Sequence, residues 1–182
     1  MALLLIIGAI IVVLLLCVGV YNGFIHKRNF VHNAWSDIDV QLKRRYDLIP
    51  NLVEVVKGYM GHEKSVLEGV TVARTAALSA NTIGAKEQAE NILTGALKSL
   101  FAVSENYPNL KASDNFLNLQ NQLATIENDL QSARRYYNAT VRQLNIAIQT
   151  FPASVFARVL GFKEEPYFQA EEKEREVVKA GF

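Results

Sequence analysis

The chain has 182 residues, half of them apolar, with 19 lysines and arginines against 18 aspartates and glutamates and a formal net charge of +1 at pH 7. That length allows one anchored domain and disfavours a second full core. The near-neutral balance argues against a general nucleic-acid surface, and Cys17, the single cysteine, allows no intrachain disulfide.

The first element is apolar. From Met1 to Tyr21 there is no charged side chain, and a helix needs roughly 20 such residues to cross about 30 Å of hydrocarbon. A secretory signal would carry its basic residues ahead of the apolar run and a small-residue cleavage site behind it. Here the first basic side chain is Lys27, on the far flank. Leu16 is too bulky to precede a lipoprotein-type Cys17. A retained transmembrane helix is therefore expected over residues 1–25. Lys27, Arg28, Lys43, Arg44 and Arg45 follow the span, which by the positive-inside rule places the C-terminal domain in the cytoplasm of a bacterium-like cell, with the N-terminus outside the inner membrane. Gly19 and Gly23 form a GxxxG spacing at the membrane exit, a candidate notch for helix packing.

A long helix is expected next, from about Lys27 to Gly61. Val31, Trp35, Ile38, Leu42, Arg45, Ile49, Leu52, Val56 and Tyr59 recur at alternating spacings of four and three, a heptad seam. The seam keeps its phase through Pro50, so a kinked helix is expected there rather than a break. Two shorter helices, about 63–80 and 84–106, are separated by Asn81-Thr82-Ile83-Gly84, and YPNLKASD (107–114) reads as a loop. The last long helix runs from about Ser113 to Thr150. Its seam is Phe116, Leu119, Leu123, Ile126, Leu130, Ala133, Tyr137, Thr140, Leu144, Ala147 and Phe151. The two long rods would measure about 50–57 Å. Together the pattern predicts an all-α protein: an N-terminal transmembrane helix, an elongated antiparallel four-helix bundle over 26–162, and a charged C-terminal tail over 163–182 with EEKEREVVK as a short helix or mobile segment. Residues 151–162, with Phe151, Phe156, Leu160 and Phe162, would return to the membrane side, there to touch lipid or to cover the open end of the bundle.

Arg45 stands inside an apolar seam and calls for partners. Helix four offers a flanking polar stripe that includes Glu127, Arg134 and Asn138. A partly buried layer is expected in which Arg45 and Asp47, beside Arg44, meet Glu127, Arg134 or Asn138. Its ordinary role is to fix helix register; the functional alternative is a site for a small polar or anionic ligand. His26, His32 and His62 are too scattered for a metal site, and no HExxH, GxSxG, Walker or Rossmann pattern occurs. No catalytic residue, metal or cofactor is expected.

Several stretches carry a resemblance: Tyr21-Asn22, AWSDIDVQLKRRYDLIPNLVEVVKGY (34–59), His62-Glu63, VARTAA (72–77), YPNLKA (107–112), LQNQLATIEN (119–128), ARRYYNATVRQLN (133–145) and Phe151-Pro152. In order and spacing, over roughly residues 20–165, the chain resembles the LemA family of bacterial membrane proteins. Arg44, Arg45, Asp47, Pro50 and Asn51 fall in that family's best-known stretch. The resemblance implies a membrane helix followed by an antiparallel helical bundle, with no enzymatic activity or cofactor to carry over. One branch is associated with magnetosome membranes, which implies membrane organisation. The expected function is an oligomeric scaffold or adaptor. Its expected partners are membrane lipid, further copies of the chain and other membrane proteins; the alternative is a membrane-tethered ligand sensor.

Overall fold

A computed structural model describes residues 1–168. These residues form six helices and no strand: α1 (Ala2–Lys57), α2 (Lys64–Ser79), α3 (Ile83–Ser104), α4 (Pro108–Lys111), α5 (Asp114–Gln149) and α6 (Ala153–Leu160). The all-α expectation holds. The membrane segment and the first bundle helix are one continuous helix, α1, and it passes through Pro50 without interruption. The stretch expected as a loop at 107–114 contains the single turn α4, opened by Pro108 at a position where its missing N–H has no helical partner to lose. The expected helix at 171–179 lies outside the described residues.

The chain divides into two compact units. The first comprises Met1–Asp37 and Ala133–Tyr167; the second comprises Ile38–Ser132 and Phe168.

The second unit is a four-helix bundle. α2 runs back along α1, with Arg74 reaching Tyr46, and pairs with α3 through the short turn before it. Thr82 caps α3 by accepting from the Ala85 N–H at 3.2 Å, a contact that fixes where the helix starts. α3 runs alongside α1, joined by Lys86 to Asp39 and Glu90 to Arg45. The start of α5 meets the end of α3 through Phe101 and Phe116. The core is the expected seam of α1, with Ile38, Leu42, Ile49, Leu52 and Val56 buried, facing Leu93, Leu97 and Leu100 of α3 and Leu123, Ile126 and Leu130 of α5. Tyr46, Val53 and Met60 join it beyond the heptad positions, because three helices enclose α1 over a wider arc than one partner would. Tyr59 leaves the seam: the helix has ended at Lys57 and the ring is exposed. Glu63, at the N-cap position of α2, makes no side-chain cap bond. Its carboxylate instead accepts from the His62 N–H and the Tyr107 hydroxyl, and the hydroxyl bond holds it below the usual carboxylate range.

In the first unit, Val31 and Ala34 of α1 and Tyr137, Val141 and Leu144 of α5 are buried, and Trp35 packs edge-on against Tyr137 with centroids 5.5 Å apart. α6 ends in a Schellman turn. Gly161 is left-handed (φ 74°), its N–H donates to Arg158 O, and the Phe162 N–H donates to Ala157 O at 2.9 Å. That turn directs Phe162 onto α1, where its ring lies 4.8 Å from Phe24 and 6.1 Å from Tyr21, beneath the Arg28 guanidinium. The chain then runs back along α5. The Asn145 side chain donates to Glu165 O and accepts from the Glu165 N–H, both at 2.9 Å, and the Tyr137 hydroxyl donates to Pro166 O. Burial pushes the Tyr137 hydroxyl up to about 12. Residues 163–167, assigned to a tail from sequence, are thus held on the helical body.

Ala2–Lys57 is the one helix among the described residues with a stretch long and apolar enough to cross a membrane, and none of that stretch is buried.

Candidate functional site

Arg45 and its neighbours form the polar centre of the second unit. Heptad spacing carries Arg45 into the core, where its side chain is 4% exposed. Nη1 donates to Glu90 Oε2 at 2.8 Å, and Nη2 donates to Thr94 Oγ1 at 2.9 Å and lies 3.3 Å from Glu127 Oε2. Glu90 is 1% exposed and is engaged at both oxygens, because the Tyr46 hydroxyl donates to Oε1 at 2.5 Å. Burial first, then the Glu90 carboxylate beside it, drives the Tyr46 hydroxyl far above the ordinary tyrosine value, so the phenol stays protonated. One guanidinium therefore bridges a buried carboxylate on α3 and a half-exposed one on α5, with a phenol of its own helix closing the network.

Immediately behind Tyr46 is the consequence of Pro50. Proline has no N–H, so the carbonyl four residues earlier loses its helical donor. That carbonyl is Tyr46 O, and the Arg74 Nε of α2 donates to it at 2.8 Å. The gap in the helix ladder is filled from a neighbouring helix, which answers why a proline is tolerated within the seam.

The expected layer is corrected in part. Arg45 and Glu127 meet, as anticipated. Asp47 does not join them: it is exposed and pairs with Lys43 one turn earlier on the same helix. Arg44 is exposed too, accepted by Gln41 and 3.7 Å from Asp129. The reason is angular: successive residues lie about 100° apart on a helix, so Arg44 and Asp47 cannot share the face of Arg45. Arg134 and Asn138 belong to the first unit, half-buried, and neither is without a partner. The residues missed were Glu90, Thr94, Tyr46 and Arg74. A signal for Glu90 was present, since it stands in the 3-4-3-4 stripe of Leu93, Leu97, Leu100 and Ser104.

Beside the network an open groove of about 380 Å³ is lined by Arg44, Asp47, Leu48, Asn121, Gln122, Thr125 and Ile126. It is mixed in charge and faces solvent. Among the described residues, no group of three or more His, Cys, Asp and Glu side chains is placed to hold a metal ion. Gly19 and Gly23 are open: a Cβ at either would meet nothing within 4 Å. Phe151 is 79% exposed and Leu160 also faces out, whereas Phe156 and Phe162 are half-buried.

The sequence has relatives. It is 27% identical over 175 residues to magnetosome protein MamQ 2 of Paramagnetospirillum magneticum, covering 82% of this chain and 64% of that protein. It is 26% identical over 174 residues to magnetosome protein MamQ of Magnetospirillum gryphiswaldense, covering 81% and 64%. It is also 29% identical over 163 residues to protein LemA of Metamycoplasma hominis, covering 87% and 73%. The chain thus spans just under two thirds of the length of the magnetosome relatives. An uncovered apolar helix together with this kinship marks a membrane-associated helical protein. The model of the LemA family matches residues 34–182, and the chain belongs to that family.

Proposed function

We propose that this protein is a single-pass scaffold or adaptor of the bacterial inner membrane, working as a homo-oligomer and without catalysis, with its N-terminus outside and its bundle in the cytoplasm. The observation that carries the reading is a contrast. The ionisable groups drawn into the bundle, Arg45, Glu90 and Glu127, are engaged with one another, while the apolar stretch of α1 is wholly uncovered. A buried, mutually satisfied ion network fixes helix register and offers no reactive group to a substrate. An uncovered apolar helix has its affinity directed outward, to lipid and to other helices. The open surface at Gly19 and Gly23 allows close backbone approach by a second helix, so self-association through α1 is the economical arrangement.

The groove beside Arg44 and Asp47 favours a second reading, a tethered sensor of a small polar or anionic ligand. Its mixed charge and solvent exposure make it the weaker one.

Light scattering on the full chain, corrected for bound detergent, tests the first reading. Particles of several copies are expected in mild detergent, and a monomeric mass at every concentration overturns it. A rise in melting temperature with one anion or metabolite, in a monomeric sample, would favour the sensor instead.

A further inference from the structure

At the end of α5 the chain turns through Phe151-Pro152 into α6, which is amphipathic. At about 100° per residue, Val155, Val159, Phe156, Leu160 and Ala157 sweep one broad apolar arc, and Ser154 and Arg158 form the narrow polar one. Only one edge of that arc is used internally. Ala157 is buried, whereas Val159 is 80% exposed and Val155, Leu160 and the preceding Phe151 also face outward. Exposed apolar residues confined to one helix call for a covering surface.

The position of α6 says what that surface is. Phe162, held by the Schellman turn, sits on Phe24 and Tyr21. Those two rings stand where the uncharged run of α1 ends. Twenty residues at 1.5 Å each fill about 30 Å of hydrocarbon, so Tyr21 marks the boundary and Phe24 lies about 4.5 Å beyond it. A helix fastened there is at the depth where interfacial helices bury their apolar faces, about 5–10 Å into the boundary between headgroups and acyl chains. Charge agrees with this placement. No aspartate or glutamate occurs in residues 1–36 or 133–163, while Lys27, Arg28, Arg134, Arg135, Arg142, Arg158 and Lys163 do. With Asp37, Glu164 and Glu165 at its margins, the unit carries seven lysines and arginines against three acids, a cation-rich body around an amphipathic helix, suited to an anionic lipid surface.

We infer that α6 is an interfacial helix, seated on the anionic bilayer surface that α1 enters, with Val155, Val159 and Phe151 inserted among the lipids and Arg158 at the headgroups. The inference rests on the membrane-anchor reading above. It makes the protein's attachment two-point, a span plus a flat contact, and so gives the helical body a defined attitude to the membrane.

The test uses the full chain with Cys17→Ser, reconstituted into phosphatidylcholine–phosphatidylglycerol vesicles, and an environment-sensitive fluorophore on Val155→Cys, Val159→Cys, Arg158→Cys or Leu14→Cys. These positions are exposed, so labelling leaves the core intact. Lipids brominated at shallow acyl positions are expected to quench the labels at 155 and 159 several-fold more than the label at 158, while deeply brominated lipid quenches the label at 14. Labels at 155 and 159 quenched only by aqueous iodide, with the label at 14 still quenched by lipid, overturn the interfacial seat and leave the anchor standing. Labels shielded from both iodide and lipid overturn it in favour of a protein cover. Failure of the label at 14 to sense lipid removes the anchor, and this inference with it.

Discussion

Arg45 sits at the centre of the second unit between carboxylates from two other helices. A charge that has left water is stable only while its partners are present: breaking a buried pair costs about 3–5 kcal/mol, whereas replacing both members by apolar groups of similar volume is often neutral or favourable. Arg45→Ala is therefore expected to lower unfolding stability by about 3–5 kcal/mol, because the Glu90 carboxylate is left buried without the guanidinium that pairs with it. Arg45→Met combined with Glu90→Leu should recover most of that loss. Denaturant unfolding of the detergent-solubilised protein measures both; equal destabilisation by the single and the double variant would remove the pair from the account. The seam made Arg45 visible in the sequence, because a cation on a 4-3 apolar repeat has few alternatives. Glu90 stood on an equally regular stripe and was passed over, since the Ala- and Ser-rich face of α3 makes a weak apolar signal. Asp47 was wrongly drawn into the layer by sequence proximity, although its helical phase points away from Arg45.

At the scale of the elements, long seams were the legible part, and what joins the elements was not. The heptad in α1 and the 3-4 repeat in α5 named most of the buried residues, since burial imposes periodicity directly on a sequence. The contact that makes Pro50 tolerable left no such trace. Arg74 sits mid-helix in α2, and nothing local to it records that its partner is a carbonyl 28 residues away. The same holds for Asn145, whose amide reads as surface but clamps the Glu165 backbone. The Arg74 contact has a measurable signature. An unsatisfied buried carbonyl costs about 1–3 kcal/mol, so Arg74→Met should destabilise by about that much in the presence of Pro50. In a Pro50→Ala background residue 50 regains its N–H and can donate to Tyr46 O itself. The cost of Arg74→Met should then shrink by about 1 kcal/mol, a coupling within reach of a double-mutant cycle. Strict additivity would mean that Arg74 acts through packing alone.

For the whole molecule, the proposed sidedness rests on charge counted near the span. Residues 1–21 contain no lysine or arginine, whereas Lys27 and Arg28 follow at once. The carboxylates on that side begin at Asp37 and weigh little in topology. The difference is small, and a bias of a few charges can be inverted by a few charges. Fused after Phe182, a reporter that matures only in the cytoplasm should be active, and one that needs the periplasm should be silent. Lys27→Gln and Arg28→Gln, combined with three lysines inserted before Ala2, should move a measurable fraction of the chains to the opposite orientation. An inverted pattern in the unaltered protein would place the bundle outside and strip the positive-inside argument of its force. It would leave untouched the α6 contact, because Phe162 meets Phe24 and Tyr21 within the chain whichever leaflet they face.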